Sequence, residues 1–182
     1  MTTIRSDAAR SRARILEAAR AHNTRDLRLN DVAREAGVGV GTVYRHFPTV
    51  SALVEALTVD TIEKMREISL RADAEPDPAS AFSFYLRSAL ALQLEDDGLQ
   101  SVLLSPEDDS EEVRVAKRHI FATFSTVLDD AQSVGAVRPD VTLEQLSHLV
   151  CGVEHAVRLG APGDRELLLD ILLAGLRPAT TT

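Results

Sequence analysis

Apolar residues recur at helical spacing from the first segment of the chain. Ile15, Leu16 and Ala19 mark one face of a helix expected from Asp7 to about His22, with Asn23 as its stop. Leu29, Val32, Ala33 and Ala36 repeat the spacing over a shorter stretch, leaving Asn30, Asp31, Arg34 and Glu35 on the other face. Gly37 follows the last apolar position, where helices commonly end in a left-handed residue that glycine adopts without a Cβ clash. In the next segment, Gly39 to Phe47, Val43 and Phe47 stand four apart for burial, while Thr42, Arg45 and His46 point elsewhere. Two short helices joined by a tight glycine turn predict a helix-turn-helix, whose second helix can enter a DNA major groove.

The remaining pattern is also helical. Thr49 is placed to cap a long helix reaching about Ala72, with Leu53, Leu57, Ile62, Met65 and Ile68 as its stripe. Asp77-Pro78 starts the next, to about Glu95, carrying Phe82, Tyr85, Leu86, Ala89 and Leu90. A short apolar segment, Leu99 to Leu104, precedes an acidic stretch, and its acids from Glu107 to Glu112 read as a solvated loop. Glu111 to about Val134 presents Val113, Ile120, Phe121, Phe124 and Leu128 before Gly135 ends it. Thr142 and Gln145 form a capping box for a helix to about Leu159, and Asp164 is the expected cap of a last helix, Arg165 to Leu176.

Around the glycine turn the residues become specific. Val32-Ala33, Ala36-Gly37-Val38 and Gly41-Thr42-Val43-Tyr44-Arg45-His46-Phe47-Pro48, with Leu53 and the Ile15-Leu16-Ala19 seam, resemble the DNA-binding half of the TetR family of bacterial transcriptional regulators. The resemblance covers Arg12 to Leu57 and fades beyond. It implies an all-α homodimer that binds a palindromic operator and releases it when a small ligand occupies the C-terminal domain. The expected division is a three-helix DNA-binding domain, residues 1–47, and a helical ligand-binding and dimerisation domain, residues 48–182. The chain departs from the family pattern at Gly39, Val40 and Val50, where Ser and cationic residues are common. Each missing cation lowers affinity and flattens the salt dependence by roughly one phosphate contact.

Charge supports a nucleic-acid partner only once it is divided by segment. The chain has a net charge of -8, yet residues 1–47 hold nine arginines against five acids, a net of +4. The other 135 residues carry -12. One end therefore suits phosphate and the remainder water. With no long apolar run at the N-terminus and one cysteine, Cys151, the expectation is a cytoplasmic protein without a disulfide.

Within the second short helix, Val40 and Thr42 are short enough for base edges, and Gly41 lets the backbone approach DNA. Arg45 suits guanine or phosphate, whereas Tyr44 and His46 suit phosphate. Arg28 and Thr49 complete the candidate DNA contacts, and Arg5 is a candidate arm on a mobile terminus. Aromatics at three- and four-residue spacing read as core, but the resemblance to a ligand-responsive family makes Phe82, Tyr85, Leu86, Phe121 and Phe124 the candidate pocket; with aromatics only 4% of the chain, the expected ligand is modest and apolar. The resemblance implies that the last two helices pair with their copies in a second subunit, making Leu146, Val153, Leu168, Ile171 and Leu172 the candidate dimer interface; the apolar face of the last helix, broader than one subunit requires, supports this.

His148, Cys151 and His155 share a stripe, but it spans about 10 Å of helix, too far for convergence on one ion. They are expected to be structural or interface residues, with no metal or cofactor. No phosphate-binding glycine loop, metalloprotease motif or nucleophile elbow is visible, so an enzyme is not expected. The alternative is a helical scaffold with weakened DNA binding, for which Val40 and Val50 are the warrant.

Overall fold

The computed structural model describes residues 2–161 and 163–179; within them the chain forms nine α-helices and no strand. In order these are α1 (Thr2–Ala19), α2 (Leu29–Glu35), α3 (Val40–His46), α4 (Val50–Asp73), α5 (Pro78–Glu95), α6 (Asp97–Leu104), α7 (Glu111–Ser133), α8 (Leu143–Leu159) and α9 (Asp164–Gly175). One compact unit holds the chain up to Asp60 together with Asp97–Arg114. A second holds Thr61–Asp96 together with the chain from Val115 onward.

In the first unit, α1, α2 and α3 pack on one another, and Ile15, Val32, Val43 and Leu53 are completely enclosed. Each such side chain contributes about 1.5–3 kcal/mol relative to exposure. The backbone of α1 is helical from Thr2, ahead of the expected start, since no proline or glycine interrupts that run; the Arg5 side chain lies outside the described residues. At its other end α1 stops at Ala19 instead of His22. The Ala21 and His22 amides bond back only three residues, to the Ala18 and Ala19 carbonyls, and tighten the chain into a turn. The His22 ring then bonds the Glu35 carboxylate at 2.9 Å, tying the end of α1 to that of α2.

The turn after α2 follows from Gly37, whose φ of 60° is the left-handed conformation glycine favours. The Val38 amide reaches the Ala33 carbonyl (3.0 Å) and the Gly37 amide the Arg34 carbonyl (3.2 Å), so the last carbonyls of α2 are satisfied. Arg14 donates to the Gly37 carbonyl at 3.2 Å, holding the turn from α1. Gly135, with φ of 73°, closes α7 in the same manner.

Two other helix starts match their local signals. The Asp77 carboxylate accepts from the Ser80 amide, with Pro78 in the first turn of α5. Thr142 and Gln145 make both bonds of the capping box on α8. Asp164 differs from expectation: it is the first residue of α9, its carboxylate accepts from the Ala161 amide, and Gly163 occupies the cap without a side-chain bond.

In the second unit α8 packs on both α5 and α9. Its core combines Tyr85, Leu86 and Leu90 of α5, Ile120 and Ala131 of α7, Leu146 of α8 and Leu169 of α9. Glu154 is buried among these apolar helices and forms an ion pair with Arg158, which also donates to the Gln93 carbonyl (2.7 Å). Pairing is what makes that buried charge tolerable.

Candidate nucleic-acid interface and ligand-binding core

Val43 anchors α3 from below and sets the orientation of the rest. With Val43 fully enclosed, Val40 (41% exposed) and Tyr44 (49%) face out, together with Gly41 and Arg45. Thr42 and His46 flank this surface and are half-buried. Gly41 has no atom within 4 Å of where a Cβ would lie, so the backbone there is open to close approach. Arg28, at the head of α2, has extended backbone and makes no capping bond. Its guanidinium, like that of Arg45, has no protein partner among the described residues. The two are available for phosphate or base edges.

The arginines of α1 have separate tasks. Arg10 pairs with Asp7 (3.3 Å), Arg14 holds the Gly37 turn, and Arg12 lies over the Phe47 ring at 5.3 Å. Arg12 thereby joins His46 and Phe47 along one cleft of about 290 Å³, whose other wall includes Asp109, Glu112 and Val113. Helical spacing carries no sign of the packing of Arg12 on Phe47.

Thr49 performs the expected cap, accepting from the Ala52 amide at 2.9 Å. Its hydroxyl donates to Asp109 at 2.9 Å. The expected solvated loop is therefore docked in part: the Asp109 and Ser110 amides donate to the Glu55 carboxylate at 2.8 and 2.9 Å. The reason is that the Asp109 and Ser110 amides, just ahead of α7, have no helical carbonyl behind them to reach, and Glu55 supplies two acceptor oxygens. α6 belongs to the same unit, where Asp97 accepts from the Thr24 amide at 3.2 Å.

Among the candidate ligand residues, Phe82, Tyr85, Leu86 and Phe124 are buried and Phe121 is half-buried. Tyr85 and Phe124 stack with centroids 4.4 Å apart and planes at 19°. Burial pushes the Tyr85 phenol well above its ordinary ionisation range. Ser69 offsets this only in part, since its hydroxyl is committed to the Met65 carbonyl at 3.0 Å. Phe82 also lines a cavity of about 520 Å³ with Ser83, Arg87, Val137, Leu173 and Arg177. At its edge Arg87 bridges Glu166 (2.8 Å) and Asp170 (2.5 Å).

The candidate interface residues separate by face. Leu146 is fully buried, on the Leu146-Val150-Glu154 stripe of α8 that faces its own subunit, so it has no surface to offer a second copy. Val153, Leu168 and Leu172 are half-buried, and Ile171 is 58% exposed. Leu167, on the broad apolar face of the last helix, is exposed, and Leu149 and Leu159 add further exposed apolar surface. On α8, His148 and His155 are exposed and Cys151 is half-buried. No group of three or more His, Cys, Asp or Glu side chains converges to hold a metal among the described residues. No helix among them is long and apolar enough to cross a membrane.

Comparison with known proteins agrees with this geometry. Residues 15–57 match the bacterial regulatory proteins of the tetR family, and residues 77–178 match the C-terminal domain of SbtR-like transcriptional regulators. A TetR transcriptional regulator of Streptomyces coelicolor is 30% identical, over 93% of this chain and 99% of that one, with a TM-score of 0.54. A TetR transcription regulatory protein of Mycobacterium vanbaalenii is 32% identical, over 96% and 99%, with a TM-score of 0.49. LfrR of Mycobacterium smegmatis, a TetR-like regulator solved in complex with proflavine, is 24% identical, over 95% and 98%, with a TM-score of 0.60. No curated protein matches the chain. With family matches covering both the helix-turn-helix and more than half of the chain beyond it, this protein belongs to the TetR family of transcriptional regulators.

Proposed function

We propose that the protein is a ligand-responsive repressor that binds a palindromic operator as a homodimer and is released by a small molecule. The observation that carries this reading is the face of α3: with Val43 locked in the core, Val40, Gly41, Tyr44 and Arg45 are presented outward together. Residues 1–47 act as the DNA-binding domain. Val40 and Thr42 meet base edges, Arg45 takes a guanine or phosphate, and Arg28, Tyr44, His46 and Thr49 set register on phosphates. Residues 48–182 bind the ligand and hold the second copy.

Dimerisation is supported by the apolar surface of Ile171 and Leu167, with Val153, Leu168 and Leu172 beside it. Gly152 and Gly175 have open space where a Cβ would lie, leaving room for a close helix from the partner subunit. Two copies also place two recognition helices on major grooves ~34 Å apart. The ligand is modest and apolar, contacting Phe82, Tyr85, Leu86, Phe121 and Phe124; that a relative of the same fold takes proflavine supports a small-molecule effector. Ligand binding favours a dimer whose recognition helices are wrongly spaced, and α4, which contributes residues to each unit, is the lever.

A scaffold that has lost DNA binding is the second reading, supported by the exposed valines at 40 and 50. Binding of the purified protein to duplexes selected from a random pool, at two salt concentrations, separates the two. Selection of a palindrome with salt-sensitive affinity supports the repressor; an unenriched pool rejects it. Titrating candidate effectors into that complex then tests release.

A further inference from the structure

The hydroxyl of Thr49 has one proton to donate, and it is given to Asp109. Its acceptor side takes the Ala52 amide. Thr49 therefore has no donor left for a DNA phosphate unless the Asp109 contact opens. The carboxylate also sits at the head of α4, a 24-residue helix whose first amides carry partial positive charge, where an anion is favoured.

Asp109 is held there from a second direction. The Asp109 and Ser110 amides are both bound by Glu55, which is only 4% exposed, so the backbone carrying the carboxylate is fastened to α4. Charge is opposed across the adjoining cleft: Arg12 comes from the helix-turn-helix side, and Asp109 and Glu112 from the head of α7. A phosphate approaching Thr49 meets a carboxylate well within one Debye length, about 8–10 Å at moderate salt.

We propose that Asp109 is an internal competitor for DNA phosphate at the head of α4, which holds the DNA-binding unit in a lower-affinity state. The inference rests on the reading that Thr49 faces phosphate. Binding then requires the Thr49–Asp109 contact to open, so the α7 head lowers affinity without touching a base.

The test uses the full chain and a labelled duplex of about 30 base pairs that the unaltered protein has selected from a random pool. Asp109→Asn and Asp109→Ala are compared with Glu107→Gln, which removes one negative charge two residues away, at a side chain that does not bond Thr49. Both Asp109 variants are expected to bind about 3- to 10-fold tighter at low salt, with a steeper salt dependence, and Glu107→Gln to gain clearly less. Equal gains in all three variants mean that net charge alone acts and overturn the inference, as does weaker or unchanged binding by the Asp109 variants. Each of those results leaves the repressor reading standing. If the unaltered protein selects no sequence, the repressor reading fails and takes this inference with it.

Discussion

The amide of Ser110 donates to the buried carboxylate of Glu55 at 2.9 Å, across 55 positions of sequence. With the parallel bond from Asp109, this gives α4 an acceptor for two amides at the head of α7. Glu55→Ala leaves both amides without that acceptor and should cost about 2–3 kcal/mol. Thermal unfolding would show this as a fall in Tm of roughly 5–10 °C for a chain of this size. An unchanged Tm would mean that water replaces the carboxylate without penalty.

Gly37→Ala is expected to destabilise by about 1–2 kcal/mol, because alanine at φ of 60° places Cβ against the following carbonyl. The new Cβ would also lie 2.7 Å from the Arg14 guanidinium and displace its bond to the turn. Chemical denaturation measures the first effect. DNA affinity measured well below the transition, where the variant is folded, measures the second, and both should fall.

Arg45→Ala should weaken operator binding by about 1–3 kcal/mol if the guanidinium reads a guanine, and relax preference at that base pair. Its fold should persist, because Arg45 is exposed and makes no bond to a described residue. Binding to the selected duplex and to single-base variants of it decides the matter. Equal affinity on all of them, for both proteins, would assign Arg45 no role in sequence preference.

Tyr85 gives a prediction in pH. Its phenol is harder to ionise in the folded chain than in the unfolded chain, where release begins near pH ~10. The folded state thus retains a proton that the unfolded state gives up, so this contribution is present below about pH 10 and is lost as pH rises beyond it. Tyr85→Phe should be close to wild-type in stability at about pH 8 and lose less between about pH 8 and about pH 11. Parallel denaturation curves at the two values, with identical losses in both proteins, would remove Tyr85 from the alkaline transition.

Ile171→Glu places a charge on the exposed apolar face of α9 and should shift the protein from dimer to monomer in sedimentation. Leu146→Ala should act differently, lowering stability by about 2–5 kcal/mol through a cavity within one subunit. A monomeric unaltered protein at micromolar concentration would reject the interface itself.

Much of the helix layout was legible because its signals are local. Gly37 and Gly135 end helices through their own φ, and Asp77-Pro78 and Thr142 with Gln145 begin them through bonds spanning three residues. The recognition-helix pattern was legible for the same reason, since burial of Val43 fixes by helical geometry which residues point outward. Periodicity failed at Leu146 because a stripe identifies the apolar face without saying which helix covers it. Leu146 is fully enclosed on α8, which packs on α5 and α9, whereas Leu149 is left open.

By itself, then, the amino-acid sequence determined an all-helical chain, its glycine turns, its basic first segment and its family, all of which depend on near neighbours or on a contiguous motif. Tertiary structure alone decided that α6 and the head of α7 join the helix-turn-helix in one unit, and that Glu55, Thr49 and Asp109 meet. Those contacts join residues more than fifty positions apart. A hydrogen bond forms only where the folded backbone brings donor and acceptor within about 3 Å, a condition that no spacing along the chain encodes.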